Sequence, residues 1–182
     1  MADTTAFAAV FEDVYRTHYA ALCRFAATIV GTRDAAKDVV QQVFTQLWER
    51  GPEATGPDAL VPYLFRATRH RALDAAKHDR VVERWRGSGA GDATVASGGA
   101  DRPGAGPLGI DQLLERDERL ARVYEAIAAL PERSRQVLIL RWQAHLEYPE
   151  IARVLGIAPA SAKMLHSRAL DAVRRRLGPD FG

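Results

Sequence analysis

The residues best suited to chemistry in this chain are Lys163, Ser167 and Arg168, in the stretch LGIAPASAKMLHSRAL spanning 155–170. Lys163 and Ser167 stand one helical turn apart, with Arg168 beside them, so a helix would carry all three on adjoining surface. Two cations and a hydroxyl so placed can hydrogen-bond guanine edges or phosphate oxygens. Any solvated helix also exposes such side chains, so neither Lys163 nor Arg168 alone separates recognition from mere solvation. What surrounds them decides. The sequence shows no phosphate-cradling glycine loop, no nucleophile with its base and no cluster of metal ligands, so no enzyme, cofactor or metal is expected. The five histidines lack zinc-ligand spacing, and one cysteine excludes an internal disulfide. Cys23, within an apolar helical pattern, reads as a small buried hydrophobe.

A sharp bend would place those residues. Ile151, Ala152 and Leu155 precede Gly156, and Ile157, Ala162 and Leu165 follow it. That spacing is the pattern of a helix-turn-helix: a small residue where the helices cross, a glycine free to take positive φ, and apolar residues sealing both helices against a third. If Ala162, Leu165, Ala169 and Val173 face inward, then Lys163, Met164, Ser167 and Arg168 face outward. The second helix could then enter a major groove while the first braces across the backbone. Ser161 is expected in the first turn as a cap or phosphate contact. Arg174, Arg175 and Arg176 also complement a helix C-terminus. Residues 117–178 hold eleven Lys and Arg against seven Asp and Glu, a local +4. So modest an excess predicts weak, salt-sensitive duplex binding, with a larger assembly supplying the rest of the affinity.

The chain as a whole, 182 residues with 47% hydrophobic content, can bury a core, and its net charge of +2 announces no partner by itself. Residues 87–109, GSGAGDATVASGGADRPGAGPLG, contain 17 Gly, Ala, Ser and Pro among 23 and read as a linker. As a flexible coil it would span about 26 Å, and fully extended about 75 Å, so the flanking bodies could work far apart. Before it lie three helical patterns. Phe11, Val14, Tyr15, Leu22, Phe25 and Ile29 recur at three and four and stop at Gly31. After Thr32, a candidate N-cap, Ala36, Val39, Val40, Val43, Phe44, Leu47 and Trp48 form a broad apolar face ending at Gly51-Pro52. A third helix begins between Asp58 and Pro62 and reaches Trp85.

Beyond the linker, Leu113, Leu120, Val123, Ile127 and Leu130 mark one helix, and Pro131-Glu132 opens the next, with Val137, Leu138 and Leu140. Helices over Tyr148–Leu155 and Ser161–Leu177 follow. The expected fold is all-α: two small helical domains, 1–86 and 111–182, joined by a flexible linker at 87–110, with the helix-turn-helix in the second. Residues 62–86 hold seven cations against three acids, interleaved with Tyr63, Phe65, His70, His78 and Trp85. Cations among rings suit single-stranded nucleic acid, although Tyr63 and Leu64 serve equally well as core. The N-terminus is acidic where a signal peptide would be basic, and no apolar run approaches a membrane span, so a cytoplasmic protein without membrane insertion is expected.

Three blocks carry a resemblance. AKDVVQQVFTQLW (36–48), PYLFRATRHRALDAAKH (62–78) and LPERSRQVLILRW…LEYPEIARVLGI…SAKMLHSRAL (130–170) resemble the AEDLVQDVFLRLW, WLYRIARNLALD and LPERQREVLLLR…LSYEEIAEVLGISVGTVKSRLHRAR patterns of bacterial sigma-70 factors, and more narrowly the two-domain extracytoplasmic-function group. The likeness covers nearly everything outside the linker, in the same order. It implies a dissociable promoter-recognition subunit whose partners are core RNA polymerase, promoter DNA in duplex and single-stranded form, and a candidate anti-sigma factor. The polymerase clamp would meet Asp38, Gln41 and Gln42. Arg66, Arg69 and His70 would lie near the unpaired minus-ten strand, with a base-capturing pocket formed by the loop PEATGPDAL (52–60) and the start of the third helix. Arg141, Ser161, Lys163, Met164, Ser167 and Arg168 would lie at the minus-thirty-five duplex. The linker would thread toward the polymerase's active-site and RNA-exit channels. Departures are also visible: Lys37 and Gln42 replace acidic residues, His70 replaces Asn, Tyr63 stands where Trp is frequent, and Met164-Leu165 replaces Ser-Arg. A stand-alone helix-turn-helix regulator is the alternative reading, and a helical interaction module or enzyme with solvated basic faces is a third.

Overall fold

The computed structural model describes residues 2–51, 60–87 and 118–178. The expected linker beyond Gly87, the loop at 52–59, the side chain of Trp85 and the predicted helical residue Leu113 lie outside the described residues. Those described form seven helices and no strand: α1 Ala2–Val30, α2 Arg33–Arg50, α3 Leu60–Gly87, α4 Glu118–Ala128, α5 Glu132–Trp142, α6 Tyr148–Leu155 and α7 Pro159–Leu177.

Helices α1, α2 and α3 pack against one another as a three-helix bundle. The apolar positions read from periodicity supply its core: Leu22, Phe25 and Val30 from α1, Val40, Val43 and Leu47 from α2, Leu64 and Phe65 from α3. Phe25 and Phe65 meet edge to face at 5.4 Å, the ring geometry that adds most beyond simple burial. Gly31 and Gly51, at φ 80° and 68°, supply the positive-φ residues on which α1 and α2 end. Thr32 occupies the N-cap of α2 as expected, but its side chain makes no capping hydrogen bond. Trp48 departs from the sequence expectation. It is 51% exposed, because at the last turn of α2 its ring lies against Phe7 and Phe11 of α1 at the rim of the bundle.

Helix α5 follows a different logic. Gln136, Val137, Leu138, Ile139 and Leu140 are buried in succession, which no amphipathic surface helix allows. The cause is a two-sided environment. Leu138 faces a small core with Ala126 and Leu130 from the α4 end and Ala169 and Val173 of α7, whereas Val137 and Leu140 belong to a core continuous with the first bundle. The two halves therefore touch: α1 packs on α5 and α3 on α6. Arg24 Nε donates to Gln143 Oε1 at 2.6 Å, and Gln136 Nε2 donates to Thr28 Oγ1 at 3.2 Å. Linker composition sets how far apart such bodies can travel, not where they rest.

Candidate nucleic-acid interface

The bend forms where the pattern placed it. Gly156 closes α6 at φ 67° and ψ 44°, the left-handed region that L side chains rarely adopt. A Cβ added there would meet nothing within 4 Å, so its backbone conformation rather than crowding is what calls for glycine. Ala152, buried and directly bonded through its carbonyl to the Ile157 amide at 3.1 Å, is the small residue at the crossing. Arg133 Nη1 donates to the Leu155 carbonyl at 3.0 Å and so occupies one of the acceptors that the end of α6 leaves open.

Helix α7 begins at Pro159 with Ala158 in the N-cap position. Ser161 is thus the third residue of the helix and not its cap, because proline already supplies the φ that a first turn needs. Ala162, Ala169 and Val173 are buried and Leu165 is half-buried, while Lys163, Met164, Ser167 and Arg168 are exposed on the opposite side. This is the division read from the spacing. Arg141 is placed differently from its neighbours in the expected set. It donates to the Leu146 carbonyl at 3.0 Å and to Glu147 Oε1 at 2.7 Å, and its guanidinium carbon lies 5.3 Å from the centre of the Tyr148 ring.

In the first bundle, Arg66 and His70 are exposed on α3, and Arg69 is half-buried. Burial pulls the Arg69 guanidinium below its usual range; the Arg133 cation adds to that and Glu132 opposes it. Arg69 therefore lies close to the start of α5 in the second half, a proximity no local pattern announces. Tyr63 is half-buried, and its hydroxyl accepts from Arg50 Nη1 at 2.8 Å. Asp38, Gln41 and Gln42 sit together on the exposed side of α2. With Thr45, Gln46 and Arg71 they line an open depression of about 420 Å³, in which Arg71 Nη1 donates to Gln42 Oε1 at 2.9 Å. The partner of Gln42 is on α3, and 29 residues of sequence separate the two. Among the described residues no cluster of His, Cys, Asp or Glu could hold a metal, and no helix is long and apolar enough to cross a membrane. Cys23 is buried, and burial pushes its thiol up, with a hydrogen bond from Tyr19 and the nearby Lys37, Arg24 and Arg33 cations opposing the shift.

Comparison with known proteins follows this division. Residues 14–81 match the family Sigma-70 region 2, and residues 120–173 match Sigma-70, region 4. A probable RNA polymerase sigma factor RfaY of Xanthomonas campestris pv. campestris is 31% identical over 148 residues, covering 80% of this chain and 35% of that protein. The RNA polymerase sigma factor CarQ of Myxococcus xanthus is 27% identical over 169 residues, 92% of this chain and 89% of its own. The sigma factor FliA of Yersinia enterocolitica is 45% identical over 76 residues, 42% of this chain and 32% of that one. The chain thus spans about a third of the length of the first of these curated relatives. Among solved structures, the sigma factor RpoE in complex with the anti-sigma factor NepR from Bartonella quintana superposes with a TM-score of 0.59 at 22% identity, over 93% of this chain and 96% of that one. At that identity the likeness is one of fold.

Proposed function

Since the chain belongs to the sigma-70 family, with regions 2 and 4 in the two-domain extracytoplasmic-function arrangement, we propose that it binds core RNA polymerase, selects promoters and promotes strand opening, acting in the cytoplasm while the polymerase performs the chemistry. The observation that carries this reading is the geometry of α6, Gly156 and α7: a left-handed glycine between two helices, with Lys163, Met164, Ser167 and Arg168 exposed on the second. These four, with Ser161 and Arg141, are the proposed contacts to the minus-thirty-five duplex. Arg141 would act from its seat on Glu147, which orients the guanidinium toward one side.

On the first bundle, Arg66, Arg69 and His70 are the proposed neighbours of the unpaired minus-ten strand. Extruding a base from the duplex costs a few kcal/mol, which stacking and hydrogen bonds can offset. Arg69 is partly shielded beside Glu132 and Arg133. Full use of that face by DNA would therefore accompany separation of the halves along the proposed boundaries, 1–86 and 111–182, with 87–110 as the tether. The depression around Asp38, Gln41 and Gln42 is the proposed seat on the polymerase clamp, with Lys37, next to Asp38 in the chain, altering the charge that a more acidic surface would present. An anti-sigma factor is a proposed partner. Gel filtration of the chain with core polymerase tests the reading directly: a holoenzyme that starts transcription at a subset of promoters is expected. Failure to form that complex would overturn it in favour of a stand-alone duplex-binding regulator, for which duplex binding would persist without polymerase.

A further inference from the structure

On the side of α7 turned away from the exposed set stands His166, half-buried and in the middle of the helix. Its Nδ1 lies 3.0 Å from the hydroxyl of Tyr148, the first residue of α6. The two rings are 5.8 Å apart, and Trp142 at the end of α5 meets the imidazole edge to face at 6.2 Å. Nε2 of His166 is buried without a hydrogen-bond partner. In either neutral tautomer, then, the hydroxyl of Tyr148 is the polar anchor of this ring, donating to Nδ1 or accepting from it. Burial lowers the pKa of His166 and the Arg141 cation lowers it further, both favouring the neutral ring. Of the charged groups near this cluster, Arg141 packs over Tyr148 and is itself paired with Glu147. One connected set of side chains thus joins the end of α5, the start of α6 and the middle of α7.

The apolar underside of α7 gives this set something to do. Ala162, Ala169 and Val173 are its buried residues, and Leu165, Leu170 and Leu177 pack half-buried against the two cores. Apolar burial is non-directional and by itself fixes no rotation of a helix about its axis, whereas a hydrogen bond fixes both a distance and an angle. A roll of about 20° moves a side-chain atom roughly 6 Å from the axis by about 2 Å. That distance is enough to break a bidentate contact to a base edge. His166 lies between Lys163-Met164 and Ser167-Arg168, within one turn of each, so a directional bond at this position acts on the rotation of all four.

We propose that His166, through its hydrogen bond with Tyr148, is a positioning residue that sets the rotation of α7 and thereby the sequence the helix selects in duplex DNA. The proposal rests on the promoter-binding reading above. Its test uses the holoenzyme, formed from the full chain and core polymerase, and a random-sequence duplex library from which the wild-type protein enriches its preferred sequence. Tyr148→Phe removes one oxygen and keeps the ring, His166→Leu keeps an apolar side chain of similar reach, and His166→Gln retains a group able to bond the hydroxyl. Tyr148→Phe and His166→Leu should each weaken binding to the enriched duplex about two- to tenfold, the range of one net hydrogen bond. The double variant should be no weaker than either, because both delete the same interaction. His166→Gln should recover most of the affinity, and all variants should bind core polymerase equally. Wild-type binding by Tyr148→Phe, or fully additive losses in the double variant, would overturn the role of His166 while leaving the promoter reading intact. Failure of the wild-type holoenzyme to enrich any duplex would remove that reading and this proposal together.

Discussion

The bundle of α1–α3 and the group α4–α7 both expose cations on a helix, α3 in one and α7 in the other, but they support that helix with different materials. The first bundle is built from long helices whose large side chains meet one another, with Phe25, Phe65, Leu22, Leu47 and Leu64 all fully buried. In the second, α4, α5 and α6 are short, and α5 is wedged between two cores, one its own and one shared with the first bundle. What differs is where the large side chains meet. In the first bundle they meet among its own three helices, although the core runs on into α5, whereas a helix buried all round cannot expose one side without cost. The proposed contact residues on α3 therefore stand over the large side chains of the bundle, while the orientation proposed for α7 runs through side chains of α5 and α6.

The largest expected effect breaks the first support. Phe25→Ala should lower stability by about 3–5 kcal/mol in denaturant unfolding, the range for deleting a buried aromatic ring. Because Phe25 belongs to the core that reaches α5, probes in both halves should report the loss together. Separate transitions would show that the shared core couples the halves only weakly. Gly156→Ala sharpens the contrast from the other side. A Cβ at φ 67° there meets nothing within 4 Å, so the expected loss of about 1–2 kcal/mol comes from the backbone alone. It should weaken duplex binding and leave the affinity for core polymerase unchanged; a loss of both would mean that the two surfaces are not independent.

Arg24→Ala addresses the seam. Removing the 2.6 Å bond to Gln143 should destabilise the contact between the halves by about 0.5–1.5 kcal/mol. The expected readout is a larger radius of gyration in small-angle scattering with unchanged helix content, and an unaltered radius would assign the seam to its apolar contacts. The smallest effect is that of pH. Burial holds the His18 imidazole below the usual histidine range, His145 adds to this and Asp13 opposes it. The unfolded chain therefore binds the proton more readily than the folded one. The stability that His18 contributes is complete above about pH 6.5 and is lost as pH falls below that value. His166 acts in the same direction. Denaturant midpoints at pH 7.5 and 5.5 should differ in that sense, and a His18→Leu variant should show a smaller difference.

Much of this could be read in one dimension. The period of three and four in α1 and α2, Gly31 and Gly51 as helix stops, Pro131 ahead of α5 and Gly156 as the bend are local signals, and each lies in the expected place. So does the outward set on α7, because facing across a helix depends only on residue spacing. The exceptions have physical causes. Ser161, expected as a first-turn cap or phosphate contact, lies in the first turn but is not the cap, because Pro159 starts the helix two residues earlier. Trp48 looked like core because it continues an apolar stripe, yet the stripe runs past the end of the bundle's interior. Arg141, expected at the duplex, is also held by the Leu146 carbonyl and the Glu147 carboxylate, five and six residues further on across the turn after α5. Gln136 is buried amid an apolar run; besides Glu132 one turn earlier it bonds Thr28, 108 residues away, a pairing without any local signal.

The sequence alone determined the helices, their apolar faces and the residues exposed on each, since all three follow from backbone geometry and the order of side chains within a few turns. It also determined the family, because three blocks of such local order recur together. Only the tertiary structure decided which helices share a core, that Arg24 meets Gln143 and Arg71 meets Gln42, and that Tyr148 holds His166. Those pairings depend on how separately formed helices come to rest against one another, and residue spacing carries no information about the approach of elements that are distant in the chain.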